Sequence, residues 1–114
     1  MIARPERPIT VNEAAVLRWM LENAAKSDVT CALAQPIEQF KVAGGCDCGC
    51  STIYFVRDSA PIGTILADAF ATYPDGKKAG LILWGFEGKI QWLEVYAMDP
   101  VEDRFPTPAE LQPF

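Results

Sequence analysis

The chain has 114 residues, half of them apolar and about a fifth charged. That balance suits one folded domain with a core of its own and argues against long-range disorder. Its 10 basic and 15 acidic residues give a formal net charge of -5, which repels phosphate backbones, argues against a nucleic-acid partner, and suits either a basic protein partner or solubility alone.

Taken in chain order, the N-terminal MIARPERPIT carries two arginines and two prolines with no apolar run behind them, so no signal peptide is expected there. No segment reaches the roughly 20 apolar residues a bilayer span needs. A cytoplasmic location without membrane contact, with thiols kept reduced, is the expectation. Residues 1–9 read as an extended, proline-interrupted lead. Thr10 and Glu13 then form the T-x-x-E pattern of a capping box. Val11, Ala14, Ala15, Leu17, Leu21 and Ala24 follow at three- and four-residue spacing, with Trp19 and Met20 widening the stripe. This periodicity predicts an amphipathic helix over 11–26.

Residues 28–36 read as a connection ending at Pro36, followed by a short strand over 37–43 that Gly44-Gly45 breaks. STIYFV, 51–56, is rich in β-branched and aromatic residues and reads as a strand. ILADAFATY, 65–73, alternates less cleanly but reads as another. Pro74-Asp75-Gly76 supplies turn chemistry. AGLILWGF, 79–86, and KIQWLEVYAM, 89–98, form a strand pair closed by Glu87-Gly88.

These two strands are apolar on both faces. Leu81 and Leu83 point one way, and Ile82, Trp84 and Phe86 the other; on the return Leu93 and Val95 oppose Ile90, Trp92 and Tyr96. One face is expected to bury the helix, and the other to be covered by the chain's own tail, a second protomer or a partner. The tail, 99–114, is proline-rich, with a single helical turn expected at Thr107-Pro108-Ala109-Glu110. The expected fold is therefore one α+β domain, an N-terminal amphipathic helix packed on a meandering antiparallel sheet of four to five strands.

The chemical clue is CDCGC, with Cys46, Cys48 and Cys50 at every second residue. On an extended strand these thiols lie about 7 Å apart on one face. Sulfurs sharing one zinc lie within about 4 Å of each other. A metal therefore needs a curled backbone, which Gly44, Gly45 and Gly49 permit, and a fourth ligand from Cys31 or a carboxylate such as Asp47. Disulfides between such neighbours rarely meet the required geometry. Three readings stay open: reduced structural thiols, a zinc or other soft-metal site, and redox or nucleophilic chemistry. Histidine is absent, which removes Ser-His-Asp and Cys-His catalysis, the HExxH zinc site and the commonest metal ligand.

CDCGC followed by STIYF, with a hairpin closing on LEVYAMD, resembles a group of small bacterial proteins of unassigned function that share a C-x-C-G-C run and a terminal L-E-V-Y strand. The likeness spans Val42 to Asp99. Small, acidic, single-domain proteins of this kind are similar to immunity proteins, which bind and silence a co-produced antibacterial toxin. The resemblance implies occlusion of a cognate toxin and carries over no catalytic residues.

The leading expectation is thus a protein-binding module with no enzymatic activity and no cofactor. Trp84, Phe86, Trp92 and Tyr96 are its candidate aromatic anchors, and Glu87 and Glu94 its candidate acids. The alternative is a small zinc-binding protein using Cys46, Cys48, Cys50 and Cys31. An enzyme would have to draw on acids such as Asp58, Asp68 and Glu94, and none has the spacing of an acid–base pair.

Overall fold

The structure is a computed structural model that describes residues 2–45, 51–56, 63–98 and 104–114, with backbone only for 2–4. The elements in order are β1 (Ile2–Pro8), α1 (Val11–Asn23), α2 (Thr30–Ala34), a 3-10 turn (Ile37–Gln39), β2 (Lys41–Gly45), β3 (Ile53–Tyr54), β4 (Thr64–Thr72), β5 (Lys78–Phe86), β6 (Lys89–Ala97), a second 3-10 turn (Pro108–Glu110) and β7 (Leu111–Pro113). Among the described residues the strands form one seven-stranded antiparallel sheet in the order β1-β2-β3-β6-β5-β4-β7. The α+β class stands, but the sheet has more strands than the four to five expected. Both edge strands are additions, built from the proline-containing lead and the tail. Proline lacks a ladder donor and is tolerated at an edge.

The helix begins where the capping box places it. Thr10 Oγ1 accepts from the Glu13 amide at 3.0 Å, and Glu13 Oε1 accepts from the Thr10 amide at 2.9 Å. Its buried face is Ala14, Val16, Leu17, Met20 and Leu21, whereas Val11 is 90% exposed. The helix ends at Asn23 rather than 26, because the next residues serve the sheet. Ala25 bridges Ala67, the Lys26 amide donates to Leu66 O at 2.9 Å, and the Asp68 amide donates to Ala24 O at 3.1 Å. A last helical turn would leave that edge of β4 without partners.

Residues 28–36 hold more than a connection. Asp28 Oδ1 accepts from the amide and hydroxyl of Thr30, the first residue of the five-residue α2. The strand expected over 37–43 is a 3-10 turn followed by β2, since Pro36 O and Ile37 O take the amides of Gln39 and Phe40. Arg18 ties these pieces to α1. It donates to both carboxylate oxygens of Glu38 at 2.9 Å and to Leu33 O, and its bonds hold the Glu38 carboxyl down at about 2. The strand expected over 51–56 shortens to two residues. Thr52 extends the pairing with its side chain, whose Oγ1 accepts from the Val95 amide and donates to Val95 O.

Two irregularities decide which side chains face the helix. Trp84 pairs Trp92, but Gly85 pairs Ile90, so Gln91 is an extra residue in β6. The bulge turns Ile90 into the core, at 3% exposed, instead of leaving it beside Trp92 and Tyr96 as strict alternation expects. The Ile90 amide finds Gln35 Oε1 at 2.8 Å. In β4, Ile65 pairs Trp84 and Ala67 pairs Leu83, leaving Leu66 as the extra residue, buried against the space over Gly85. This bulge explains the weak alternation of ILADAFATY.

The core lies between α1 and the inner sheet face, where Leu17, Met20 and Leu21 meet Leu66, Leu81, Leu83 and Leu93. Ala67, Ala69 and Ala71 are fully buried and present only methyl groups toward the helix layer. The tail turn forms as expected, with the Thr107 amide on Glu110 Oε1. It packs on the helix side, where Pro106 is buried and its carbonyl accepts from Asn12 Nδ2 at 2.8 Å. Among the described residues no helix is long and apolar enough to cross a membrane.

Candidate functional site

The outer face of the sheet carries the surface that the sequence singles out. Cross-strand registers arrange it in three rows. The first runs Ile65, Trp84, Trp92, Tyr54. Its rings stand side by side, with Tyr54 and Trp92 centroids 5.0 Å apart and 8° from parallel, and Trp84 and Trp92 5.6 Å apart at 9°. The second row is Asp68, Ile82, Glu94, and the third Phe70, Gly80, Tyr96. All of these side chains are half-buried, apart from Gly80, which is buried. Among the described residues only the C-terminal Phe114 folds onto it, its ring 5.2 Å from that of Phe70. Of the rest of the described tail, the stretch around Pro106 lies with the helix layer and Leu111–Pro113 forms the edge strand β7.

Local chemistry sets the geometry. Trp84 Nε1 donates to Glu94 Oε1 at 3.0 Å, a diagonal contact between neighbouring strands. Gly80 has no side chain, and the Tyr96 ring occupies the space: a Cβ there would stand 2.0 Å from Tyr96 Cζ. Burial pushes the Tyr96 phenol up, and the negative charges of Asp68 and then Glu94 push it further. Lys78 Nζ lies 5.2 Å from the Phe70 ring centroid, within cation–π range. Asp68 Oδ1 is buried and has no hydrogen-bond partner among the described residues.

Of the expected site residues, Trp84, Trp92, Glu94 and Tyr96 come together on this face. Phe86 lies toward its hairpin end, 45% exposed and paired with Lys89. Glu87 is at the exposed tip with φ 53°, and Gly88 follows at φ 81°, the left-handed pair a two-residue hairpin loop requires. Among the described residues Glu87 is the only non-glycine with positive φ. Asp68, Phe70, Ile82 and Tyr54 complete the face and were not among the expected contacts. The signal that could have found two of them was alanine at every second position of β4, which marks the inner face and leaves Asp68 and Phe70 outside.

Cys46, Cys48 and Cys50 lie outside the described residues, as do Asp47 and Asp58. Cys31, the remaining ligand of the zinc alternative, is an exposed free thiol on α2 beside Gly88. Among the described residues no three Cys, Asp or Glu side chains gather in a metal-binding group. No protein-family profile, characterised protein or solved structure matches the chain.

Proposed function

We propose that the chain is a protein-binding module whose outer sheet face and hairpin tip form the interface, and that it acts as an immunity protein occluding a cognate toxin. The observation that supports this reading is the aromatic row on the outer face. Tyr54, Trp84 and Trp92 stack across three strands, with Ile82, Tyr96 and Phe70 beside them, and among the described residues Phe114 is the one ring that folds onto this group from the tail. Aromatic clusters with a polar rim supply most of the energy in protein interfaces. The toxin-inhibitor role rests on the resemblance of the CDCGC-to-LEVYAMD segment.

The test is co-expression with the product of the neighbouring gene, reading both complex formation and rescue from toxicity. Wild type should bind and rescue. Ile82→Thr keeps a β-branched residue but removes apolar contact at the centre of the face, and should weaken binding by about tenfold or more. Glu87→Lys should chiefly slow association, and more so at low salt. If wild type neither binds nor rescues, and a metal co-purifies at one equivalent, the zinc-protein reading replaces this one.

A further inference from the structure

We propose that the centre of the outer face receives an arginine side chain of the partner, held between Asp68 and Glu94 and stacked against Tyr96. This rests on the reading of that face as a protein interface. Asp68 Oδ1 is shielded from solvent yet accepts from nothing among the described residues. A buried acceptor without a donor is costly, most of all on a charged group. Glu94 uses Oε1 for the Trp84 indole, and no described group donates to its other oxygen. Neither acid is ion-paired with a described residue. Burial raises the Tyr96 phenol, and the nearby charges of Asp68 and Glu94 raise it further.

A planar donor with two edges suits two acids carried on separate strands. Asp68 and Glu94 sit on either side of Ile82, two strand spacings or about 9.5 Å apart at the backbone. A guanidinium donating from opposite edges bridges oxygens about 8 Å apart, whereas one ammonium nitrogen reaches oxygens no more than about 5 Å apart. Guanidinium also stacks flat on an aromatic ring. Charge excludes a second copy of this chain as the occupant. Two-fold packing of the face would set one acidic centre against another, with a net charge of -5 on each copy.

The probe is N-acetyl-arginine methylamide, titrated into the full chain with the citrulline derivative as its neutral match. The indole N–H resonances provide the readout. Trp84 donates to Glu94 and reports the site, while Trp19 on α1, packed against the core from the helix side, is an internal control. The arginine probe should shift Trp84 and leave Trp19 in place, and the citrulline probe should shift neither. Asp68→Asn, which keeps the shape and removes the charge, should weaken the response about tenfold or more. Equal responses to both probes, or an unchanged response in Asp68→Asn, would overturn the site. If the co-expressed partner is bound equally by wild type and Asp68→Asn but lost in Ile82→Thr, the interface stands and the arginine site falls. If the arginine probe binds and no protein partner does, the protein occupant is overturned.

Discussion

Glu13 is the residue through which the first strand, the helix start and the lead between them are held together, and its replacement by glutamine tests that account. Its side chain is 8% exposed and takes three donors: Arg7 Nη1 at 2.9 Å, Arg7 Nη2 at 2.8 Å and the Thr10 amide at 2.9 Å. In Glu13→Gln the amide side chain would keep one acceptor for the Thr10 N–H, and would turn an NH2 toward a guanidinium that is itself only a donor. The loss is one arm of a charge-assisted bidentate pair, worth about 1.5–3 kcal/mol. Arg7 is 45% exposed and can rehydrate, which places the cost near the lower part of that range, about 2 kcal/mol. For a chain of 114 residues, unfolding entropy near the midpoint is roughly 0.24 kcal/mol per degree, so Tm should fall by about 8 °C. Acid should erase the difference. Burial alone would raise the Glu13 carboxyl, but the Arg7 pair and the Thr10 bonds outweigh it and hold the carboxyl below its ordinary 4.5. A group depressed on folding stabilises the fold above its unfolded pKa, and that contribution disappears as pH falls through the folded value. Urea titrations of wild type and Glu13→Gln from about pH 7 to about pH 2 should therefore converge at the acid end, with Arg7→Met completing a double-mutant cycle. A loss under about 0.5 kcal/mol at neutral pH, or a gap that persists unchanged in acid, would refute the reasoning.

Gly80→Ala should drive the Tyr96 ring off β5, since the new Cβ would stand 2.0 Å from Cζ; the lost packing outweighs the gain in strand propensity and leaves a net cost of about 1 kcal/mol by thermal melting. A more stable variant would show that the ring has no need of that space. Glu87→Asn should raise stability by about 0.5–1 kcal/mol, because Asn tolerates the left-handed conformation that Glu87 adopts at φ 53°; a lower Tm would refute it. Exhaustive chelation should leave the far-ultraviolet dichroism unchanged, because the hydrophobic core is assembled from α1 and the sheet without help from Cys31. Collapse of the spectrum would assign the cysteines a structural metal.

The features legible in the chain alone are those whose partners lie within a few residues. Thr10 and Glu13 make their capping box from adjacent backbone, Glu87-Gly88 closes its hairpin locally, and Thr107 to Glu110 caps its own turn. The two-sided apolar pattern of 79–97 likewise marked Trp84, Trp92, Glu94 and Tyr96 as one surface, because alternation is a property of each strand by itself. The tertiary structure decided whatever depended on distant segments. The lead and tail became strands only because β2 and β4 offered them edges. The helix gave up its last turn because β4 needed the carbonyl of Ala24 and the amide of Lys26. Ile90 turned inward because one extra residue in β6 reversed its parity, and Gln35, far away in sequence, took up its amide. Asp68 joined Glu94 across Ile82 through the same kind of register, set here by the bulge at Leu66. Register between strands is fixed by pairing energies summed along whole elements, and a single bulge reverses every side chain beyond it.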